Sequence, residues 1–394
     1  MSEWKKVKLK DCCHSISDGD HLPPPKSNSG VPFVTIANID ATNHIDFGNT
    51  MFVPLEYYNN LNDIRKAKCN DILYSVVGSF GKPALIKENI PFAFQRHIAI
   101  LRPNNEIADS RFLYYVMLTR DFFMQADTVA IGAAQRTISL TALRNMEVKL
   151  PSMETQYRIA SILSRYDSLI ENYQKQIKLL EEAAQRLYKE WFVDLRFPGH
   201  ENTKIVDGVP EGWEKKKLHE IAEVVMGSSP KSEFYNNDKQ GLPFHQGVGS
   251  YGTRFVDDNV YSTSITRLAE PNSILFSVRA PVGRLNITKN KIIIGRGLAA
   301  MNHKDGFQSF LFYMLKERFF MDNIIGNGSI FASISKVELL DQEFIVPPMK
   351  TIKAFESLAS KLDKKIQGVD TQLRLLTEAR DRLLPKLMSG EIEI

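Results

Sequence analysis

Residues 208–221 read GVPEGWEKKKLHEI, and the chain begins with the similar stretch MSEWKKVKLKDC. In both stretches a tryptophan precedes a run of lysines that ends at a leucine, from Trp4 to Leu9 and from Trp213 to Leu218. The recurrence of the opening sequence near the middle of the chain is the first sign of an internal repeat. An internal repeat determines the architecture of the whole chain.

Further segments recur in the same order in both halves of the chain. The pairs are GVPFVTI (30–36) with GLPFHQG (241–247), DILYSVVGSFGKPALI (71–86) with SILFSVRAPVGRLNI (273–287), RFLYYVML (111–118) with SFLFYMLK (309–316), IGAAQRTIS (131–139) with GNGSIFASIS (326–335), and KLPSMETQ (149–156) with IVPPMKTI (345–352). The offset between equivalent residues falls from 209 at the tryptophans (213 − 4) to 196 at a shared proline (347 − 151). We therefore interpret the chain as two copies of one plan that differ by small insertions.

The composition is that of a globular protein with two domains. The 394 residues are enough for two cores, and 43% hydrophobic and 24% charged residues argue against wholesale disorder. The net charge of +4 allows a nucleic-acid partner without arguing for one. Cys12, Cys13 and Cys69 form no C-x-x-C pair, which disfavours a disulfide framework and a cysteine-rich zinc site. A charged beginning and no run of eighteen apolar residues lead us to expect a soluble, cytoplasmic protein.

Each copy is predicted to begin with a globular segment. The two segments, 1–150 and 213–346, are rich in β-branched and aromatic residues and in Gly, Pro and Asn turns. This composition indicates a mixed α/β fold with many short strands. One helix in each copy is expected to begin at Asp109 or at Gly306.

A long helix is predicted after each globular segment. In 151–195 and 347–394 apolar residues fall at steps of three and four, as in coiled coils, and 196–212 links the first helix to the second globular segment. One such stripe alone would more often be an ordinary core helix, but two of matching length favour a helix–helix partnership. We expect the helices to pack antiparallel and to separate the two α/β globules with approximate two-fold symmetry. The residues assigned to helix packing or partner docking are Ile162, Tyr166, Leu169, Tyr173, Leu180, Leu187, Leu358, Leu362, Ile366, Val369, Leu373, Leu376 and Leu383.

The sequence contains no complete catalytic or cofactor-binding motif among those considered. GVGSYG (247–252) fits G-x-G-x-x-G, but strand-like residues follow it where a dinucleotide site needs a helix. GSFGKP (78–83) lacks the upstream glycine and the Ser or Thr of a phosphate-binding loop. EVK (147–149) has the Glu-x-Lys ending of many nuclease motifs, but no Pro-Asp precedes it. The eight histidines show no metal-ligand spacing. We therefore predict no catalytic residue and no metal site.

The globular segments instead offer loops of Arg, Lys, Gln, Asn and Ser. Arginine recognises guanine with two hydrogen bonds, glutamine and asparagine recognise adenine, and lysine and serine bind phosphates. Each such residue alone is more often a solvated surface residue, but the two copies differ in these loops while keeping their apolar frame. The candidate DNA contacts are Ser79, Lys82, Gln95, Arg96, Gln135 and Arg136 in the first copy, and Arg279, Arg284, Arg296, Asn327 and Ser329 in the second.

Several longer stretches give the chain a family resemblance. They are SDGDHLPPPKSNSGVPFV (17–34), GSSPKSEFYNNDKQGLPFHQG (227–247), LPSMETQYRIASILSRYDSLIE (150–171), LYKEWFVDLRFPGHENTKIVDGVPEGWEKKKLHEI (187–221) and LLPKLMSGEI (383–392). With these stretches, which extend along the whole chain, the sequence resembles the specificity (S) subunit of Type I restriction-modification systems.

The resemblance implies that each globular segment is a target-recognition domain. Each domain would read one half of a bipartite, gapped site in double-stranded DNA and direct adenine methylation, and cleavage, by partner subunits. The long helices would dock modification (methyltransferase) subunits and, through them, restriction/translocase subunits. The chain itself would hold no cofactor, because S-adenosylmethionine, ATP and Mg²⁺ would belong to the partners. No membrane partner is expected.

Two other classes of function stay open on the residues alone. An interaction scaffold would use the two globules to hold proteins, whereas a DNA reader should lose affinity as salt rises, since phosphate contacts release counterions. A self-contained DNA enzyme, such as a nuclease, would cleave DNA when the purified chain is incubated with Mg²⁺. We expect no cleavage.

The helices predict the length of the unread spacer between the half-sites. Lengthening both helices by one turn should lengthen the spacer and leave both half-sites unchanged, because the helices hold the two readers apart. The methylated motif of the lengthened variant measures this directly. A changed half-site with an unchanged spacer would contradict the prediction.

Overall fold

The computed structural model describes residues 4–21, 23–40, 42–133, 135–319 and 333–394. The chain divides into two compact units, and each combines one globular segment with part of both long helices. The first unit is Met1–Asn172 with Gln372–Ile394, and the second unit is Tyr173–Thr371.

The strands described in the first unit form three sheets. They are β1 (Lys5–Lys8), β2 (Cys13–Asp18), β3 (Val31–Val34), β4 (Met51–Val53), β5 (Ile72–Ser75), β6 (Pro83–Leu85), β7 (Ala93–Phe94), β8 (Ile98–Pro103) and β9 (Glu147–Leu150). Antiparallel pairing gives a four-stranded sheet in the order β2-β8-β5-β6. A second sheet has the order β4-β3-β7, with β3 and β7 parallel, and β1 pairs with β9.

The second unit repeats this plan. Its described strands are β10 (Ile205–Val206), β11 (Val209–Pro210), β12 (Glu214–Lys217), β13 (Ala222–Met226), β14 (Tyr235–Asn236), β15 (Leu242–His245), β16 (Tyr261–Ser262), β17 (Leu268–Ala269), β18 (Ile274–Ser277), β19 (Leu285–Ile287), β20 (Ile292–Ile294), β21 (Leu298–His303) and β22 (Glu343–Val346). The order β13-β21-β18-β19 matches β2-β8-β5-β6, and β12 pairs with β22 as β1 does with β9. A five-stranded sheet, β14-β16-β15-β20-β17, again contains a parallel pair, β15 with β20, and β10 pairs with β11 in a two-stranded sheet. The predicted repeat of two α/β globules is therefore confirmed.

Helices cover one side of each four-stranded sheet. The described α-helices are α1 (Leu55–Asn60), α2 (Ser110–Leu118), α3 (Arg120–Val129), α4 (Leu140–Asn145), α5 (Met153–Phe192), α6 (Leu218–Ile221), α7 (Gln308–Phe319), α8 (Lys336–Leu340) and α9 (Met349–Ser389). Asp109 caps α2, since its side chain accepts the amide hydrogen of Phe112 at 3.0 Å. This matches the predicted start, whereas α7 begins two residues after Gly306. Among the described helices, none is long and apolar enough to cross a membrane.

The four-stranded sheet of the first unit is buried on both faces. Ile72 and Tyr74 of β5 and Leu101 of β8 belong to a core cluster that includes residues of α2 and both long helices. The intervening Leu73 and Ile100 belong to a second cluster on the opposite face. Side chains alternate between the faces of a strand, so burial on both sides explains the continuous apolar runs of these strands.

Both long helices carry the same heptad pattern. Steps of three and four lead from Gln156 to Trp191 in α5 and from Ile352 to Leu387 in α9, at a constant offset of 196 (352 − 156). Such alternation places one side chain of every three or four in the seam of a coiled coil. The buried seam residues are Gln156, Ile159, Leu163, Ile170, Ile177, Ala184 and Trp191 in α5, and Ile352, Phe355, Ala359, Ile366, Val369 and Leu387 in α9.

The predicted packing residues match this seam only in part. Half-buried seam positions hold Tyr166, Tyr173, Leu180, Leu187, Leu362, Leu373, Leu376 and Leu383, and Ile162 is half-buried beside the seam. Leu169 and Leu358 are 45% and 43% exposed and lie outside the packed seam, so for these two only the partner-docking alternative stays a prediction. Apolar spacing alone does not separate the seam from the neighbouring helix face, and the prediction therefore missed Ile159, Leu163, Ile170 and Ile177.

Within each unit the two long-helix segments run antiparallel, as predicted. Residues farther along α5 meet residues earlier in α9. In the first unit Leu163 and Leu387 belong to one core cluster, and Asp167 pairs with Arg380. In the second unit Glu181 and Asp363 both pair with Arg254, and the ring of Trp191 contacts that of Phe355.

A tyrosine–aspartate hydrogen bond ties each globular segment to a long helix. In the first unit Tyr115 of α2 donates its hydroxyl hydrogen to Asp167 of α5 at 2.6 Å. In the second unit Tyr313 of α7 makes the same bond to Asp363 of α9 at 2.8 Å. The repeated bond fixes the middle of each globule's principal helix against a long helix, beside the seam.

A different arginine completes this contact in each unit. Arg380, from α9, lies 3.1 Å from Asp167 in the first unit. In the second unit Arg254, from the loop before β16, lies 2.7 Å from Asp363 and 3.6 Å from Glu181. The Arg254 guanidinium also lies 3.6 Å from the centre of the Phe312 ring, and the residue is only 3% exposed. Its charge is therefore held away from water by two carboxylates and an aromatic face.

We expect Asp363→Ala to lower the free energy of unfolding by about 3 kcal/mol, because it leaves the buried Arg254 charge without its closest partner. Urea denaturation of the purified chain measures the change. Glu343→Gln is the control, since Glu343 pairs with Lys215 on the surface and exposed pairs contribute at most about 1 kcal/mol. Equal losses in the two variants would contradict the role of Arg254.

Candidate nucleic-acid interface

The candidate residues of the first copy collect at one end of its four-stranded sheet. Antiparallel pairing puts the end of β5, the start of β6 and the start of β8 at the same edge, since Ser75 pairs with Ile98 and Tyr74 with Pro83. The loop that holds Gln135 joins this edge, because Val77 forms a bridge with Thr137. The residues brought together are Ser79 and Lys82 after β5, Gln95 and Arg96 before β8, and Gln135 and Arg136 before α4.

The second copy has the same arrangement. Ser277, at the end of β18, pairs with Leu298, at the start of β21. Arg279 and Arg284 lie between β18 and β19, and Arg296 precedes β21, so all three lie at this edge. The predicted contacts Asn327 and Ser329 lie outside the described residues.

A buried serine shapes the same loop in both units. Ser75 donates its hydroxyl hydrogen to the carbonyl oxygen of Ser79 at 3.0 Å and accepts the amide hydrogen of Lys82 at 2.9 Å. Ser277 makes the same two bonds, at 2.6 Å to the carbonyl four residues on and at 2.8 Å from the amide of Arg284. Lys82 and Arg284 therefore occupy equivalent places on one backbone frame.

A close contact with glycine shapes the turn before β8 and its counterpart before β21. A Cβ on Gly19 would lie 2.5 Å from the carbonyl oxygen of Gln95 in the facing turn, and a Cβ on Gly227 would lie 2.1 Å from that of the equivalent residue, Gly295. Only glycine allows the backbones to approach so closely. Each turn then presents one exposed arginine, Arg96 or Arg296, and neither has an ion-pair partner within the part of the chain that the structure describes.

The candidates differ in how freely they face solvent. Ser79, Gln135 and Arg279 are exposed, whereas Lys82, Gln95 and Arg284 are half-buried. Arg136 is half-buried as well, and its guanidinium pairs with Asp127 and lies 5.3 Å from the centre of the Phe80 ring. Its charge is therefore already paired within the domain.

The prediction missed two polar residues that lie beside Arg296. Ser229 donates its hydroxyl hydrogen to Gln246 Oε1 at 2.7 Å and accepts the amide hydrogen of Arg296 at 3.2 Å. Both residues belong to the stretch 227–247 that was quoted for the family resemblance, but nothing in the sequence says that its two ends, GSSP and HQG, meet. The turn between β20 and β21 brings them together, since the amide of Ser228 donates to the carbonyl of Ile294 at 2.9 Å and the amide of Gly297 donates to the carbonyl of Gln246 at 3.1 Å.

A buried histidine holds the loop that follows β15. His245 is 1% exposed, and its two ring nitrogens lie 2.7 Å from Ser250 Oγ and 2.9 Å from Asp258 Oδ1. Burial disfavours the charged form of Asp258, but the hydrogen bonds from His245 and Asn290 outweigh it and hold the pKa of Asp258 below its ordinary value. The hydrogen-bonded group of Ser250, His245 and Asp258, which we name the β15 latch, thus fixes the backbone beside Gln246.

The thiols of Cys12 and Cys13 lie at or just before the start of β2, at the end of the sheet opposite the candidate interface. Over the described ranges, no group of three or more His, Cys, Asp and Glu side chains is placed to hold a metal ion. Burial raises the pKa of the Cys12 thiol to about 11 and, with the neighbouring Cys12, raises the pKa of Cys13 as well. Both thiols therefore stay protonated near neutral pH and are poor nucleophiles.

We expect Asp258→Asn to destabilise the chain by about 2 kcal/mol at pH 7, since it removes a charged acceptor from the β15 latch. Because the folded-state pKa of Asp258 is lowered, its contribution is complete above the ordinary value of about 3.9 and is lost as pH falls through the folded value. The difference from the unsubstituted chain in urea denaturation should therefore shrink towards pH 3. The adjacent, exposed Asp257→Asn serves as control, and a difference independent of pH would contradict the account.

Comparison with known proteins identifies relatives of the whole chain. The family model for the Type I restriction modification DNA specificity domain matches residues 1–182 and again residues 210–373. The MjaX specificity subunit of a type I restriction enzyme from Methanocaldococcus jannaschii is 29% identical, over 100% of this chain and 94% of the relative. The MjaIX specificity subunit from the same organism is 30% identical, over 72% of this chain and 69% of the relative.

A solved structure has the same fold. The crystal structure of the Type-I restriction-modification system S subunit from M. genitalium is 18% identical in sequence and aligns over 98% of this chain and 96% of that chain, with a TM-score of 0.63. The duplicated globules and paired helices are therefore a shared architecture. With two matches to one domain family, this chain belongs to the Type I restriction-modification DNA specificity family and is one of its specificity subunits.

Proposed function

We propose that the loop edges of the two four-stranded sheets are the surfaces with which this specificity subunit reads DNA. As a member of its family the chain recognises DNA sequence, works with partner subunits and carries no catalytic activity of its own. Its two recognition domains suit a bipartite site, with one half for each domain. The proposal concerns which residues make the contacts.

The repeated backbone frame carries this proposal. Ser75 and Ser277 hold equivalent loops, and Arg96 and Arg296 project from equivalent turns. The side chains around the two arginines differ between the copies, although the frame does not. A constant frame with altered side chains suits two readers that dock alike on the duplex and recognise different bases.

The long helices are the proposed docking surface for modification subunits. Leu179 of α5 and Leu375 of α9 are equivalent at the offset of 196 (375 − 179), and they are 54% and 53% exposed. Two equivalent apolar side chains outside the seam suit two copies of one partner. Leu169 and Leu358, exposed as well, are further candidates for this contact.

We assign the chemistry to the partners. The modification subunits would bind S-adenosylmethionine and methylate an adenine swung out of the stack, and restriction/translocase subunits would use ATP and Mg²⁺. This chain would hold no cofactor and would act in the cytoplasm, where the DNA is.

Mapping of modified adenines tests the function. Co-expression with the cognate modification subunit in a methylation-deficient host should yield a two-part motif with a fixed gap. Replacing residues 1–150 by the corresponding segment of a relative should change one half of the motif and leave the other unchanged. If the modification subunit co-purifies but no motif appears, the chain acts as a scaffold and the loop assignments are wrong.

Substitution of the exposed leucines tests the docking surface. Leu179→Arg together with Leu375→Arg should reduce co-purification of the modification subunit at least tenfold, because each places a charge in an apolar contact. Lys178→Ala is the control, since its side chain is exposed beside Leu179. Undiminished co-purification of the double variant would exclude this surface.

A further inference from the structure

A polar cavity of about 870 Å³ opens at the loop edge of the second unit. Its lining includes Ser229, Lys231, Tyr235, Phe244, Gln246 and Arg296. The ring centroids of Tyr235 and Phe244 lie 4.7 Å apart and form an aromatic wall, whereas Gln246 and Arg296 supply polar groups. The cavity is thus large enough for the edge of a nucleobase and carries hydrogen-bonding side chains.

Tight backbone packing fixes the position of Gln246. A Cβ on Gly295 would lie 2.6 Å from Gln246 Oε1, and a Cβ on Gly297 would lie 2.5 Å from the Gln246 carbonyl oxygen. The amide of Gly297 donates to that carbonyl at 3.1 Å. The β15 latch holds the neighbouring residue, His245. Gln246 therefore approaches the DNA side of the domain on a backbone with little freedom.

Ser229 engages the side-chain amide of Gln246. Its hydroxyl oxygen accepts the amide hydrogen of Arg296 at 3.2 Å, and its single hydrogen is donated to Gln246 Oε1 at 2.7 Å. One lone pair of the amide oxygen is thus occupied, and this bond favours the orientation in which Gln246 presents its NH₂ group. The guanidinium of Arg296 can only donate. The two side chains together form a site that offers donors.

We propose that Gln246 and Arg296 recognise a guanine in the half-site of the second recognition domain, with Ser229 as the positioning residue that sets the polarity of Gln246. The proposal rests on the proposed function. Guanine presents two acceptors in the major groove, N7 and O6, whereas adenine presents N7 beside an NH₂ donor. A site of donors therefore matches guanine and opposes adenine.

The first unit lacks this arrangement. Arg96 is equivalent to Arg296, but Thr35 stands at the place of Gln246 and His21 at the place of Ser229. His21 contacts Asp18 at 2.8 Å, so its ring is directed to a carboxylate of its own loop. The proposed recognition of guanine by Ser229, Gln246 and Arg296 therefore concerns only the half-site of the second recognition domain.

Methylated motifs of matched variants test the proposal in the complex with the modification subunit. The unsubstituted chain should require guanine at one position of the second half-site. Arg296→Ala and Arg296→Lys should each lower methylation of guanine sites about tenfold or more relative to the other bases, because lysine lacks the two-pronged geometry of arginine. Ser229→Ala frees the amide oxygen of Gln246, so adenine should become accepted at the same position. Lys291→Ala, at the exposed end of β20 opposite Arg296, should leave the motif unchanged.

Distinct outcomes separate the possible failures. If Arg296→Ala lowers methylation equally at every base while Arg296→Lys retains it, the arginine contacts a phosphate and the proposal is overturned. A second half-site that requires no guanine overturns it as well. An unchanged first half-site and co-purification with the modification subunit establish that each variant is folded. Absence of any two-part motif with the unsubstituted chain would instead refute the proposed function.

Discussion

The hydrogen bond between a tyrosine of each globular segment and an aspartate of a long helix is the contact on which the recognition geometry depends. Tyr115 with Asp167 and Tyr313 with Asp363 occupy equivalent places in the two copies. Each joins the helix that covers the four-stranded sheet to a long helix, one residue past a seam position. The seam is continuous along α5 and along α9, and each globule is attached beside it through the same pair of side chains.

Buried strands and buried hydroxyl groups connect this contact with the loops at the edge of each four-stranded sheet. Strands buried on both faces fix where β5 and β18 end, and the hydroxyls of Ser75 and Ser277 then fix the loop that follows each strand. Because the backbone is held by buried groups, the exposed side chains on the loops can change without loss of the core. A recognition protein needs this separation, since specificity then varies independently of stability.

Much of the fold could be predicted from sequence because the duplication repeats each signal. The order of the recurrent segments indicated two α/β globules, and the change of period indicated long helices in 151–195 and 347–394, which in the structure begin at Met153 and Met349. The face of the seam was harder to predict, since Leu169 and Leu358 continue the apolar spacing but face solvent. Separating the faces requires knowing which residues of the other helix lie opposite.

Side chains of the candidate interface were predicted less completely. The loops that contain Arg96 and Arg296 could be found because they follow buried strands and differ between the copies. The internal pairing of Arg136 with Asp127 and the bond from Ser229 to Gln246 depend on contacts between segments distant in sequence. Local composition carries no signal for such contacts, which form only when the sheets assemble.

Hydrogen exchange of the complex with and without its DNA tests most directly whether the two loop edges are the reading surfaces. The account predicts that cognate DNA slows exchange in peptides spanning 76–82 and 278–284, because bound loops open less often. A DNA with one half-site scrambled should leave only the other loop protected. Slower exchange confined to the long helices, with both loops unaffected by cognate DNA, would contradict the account.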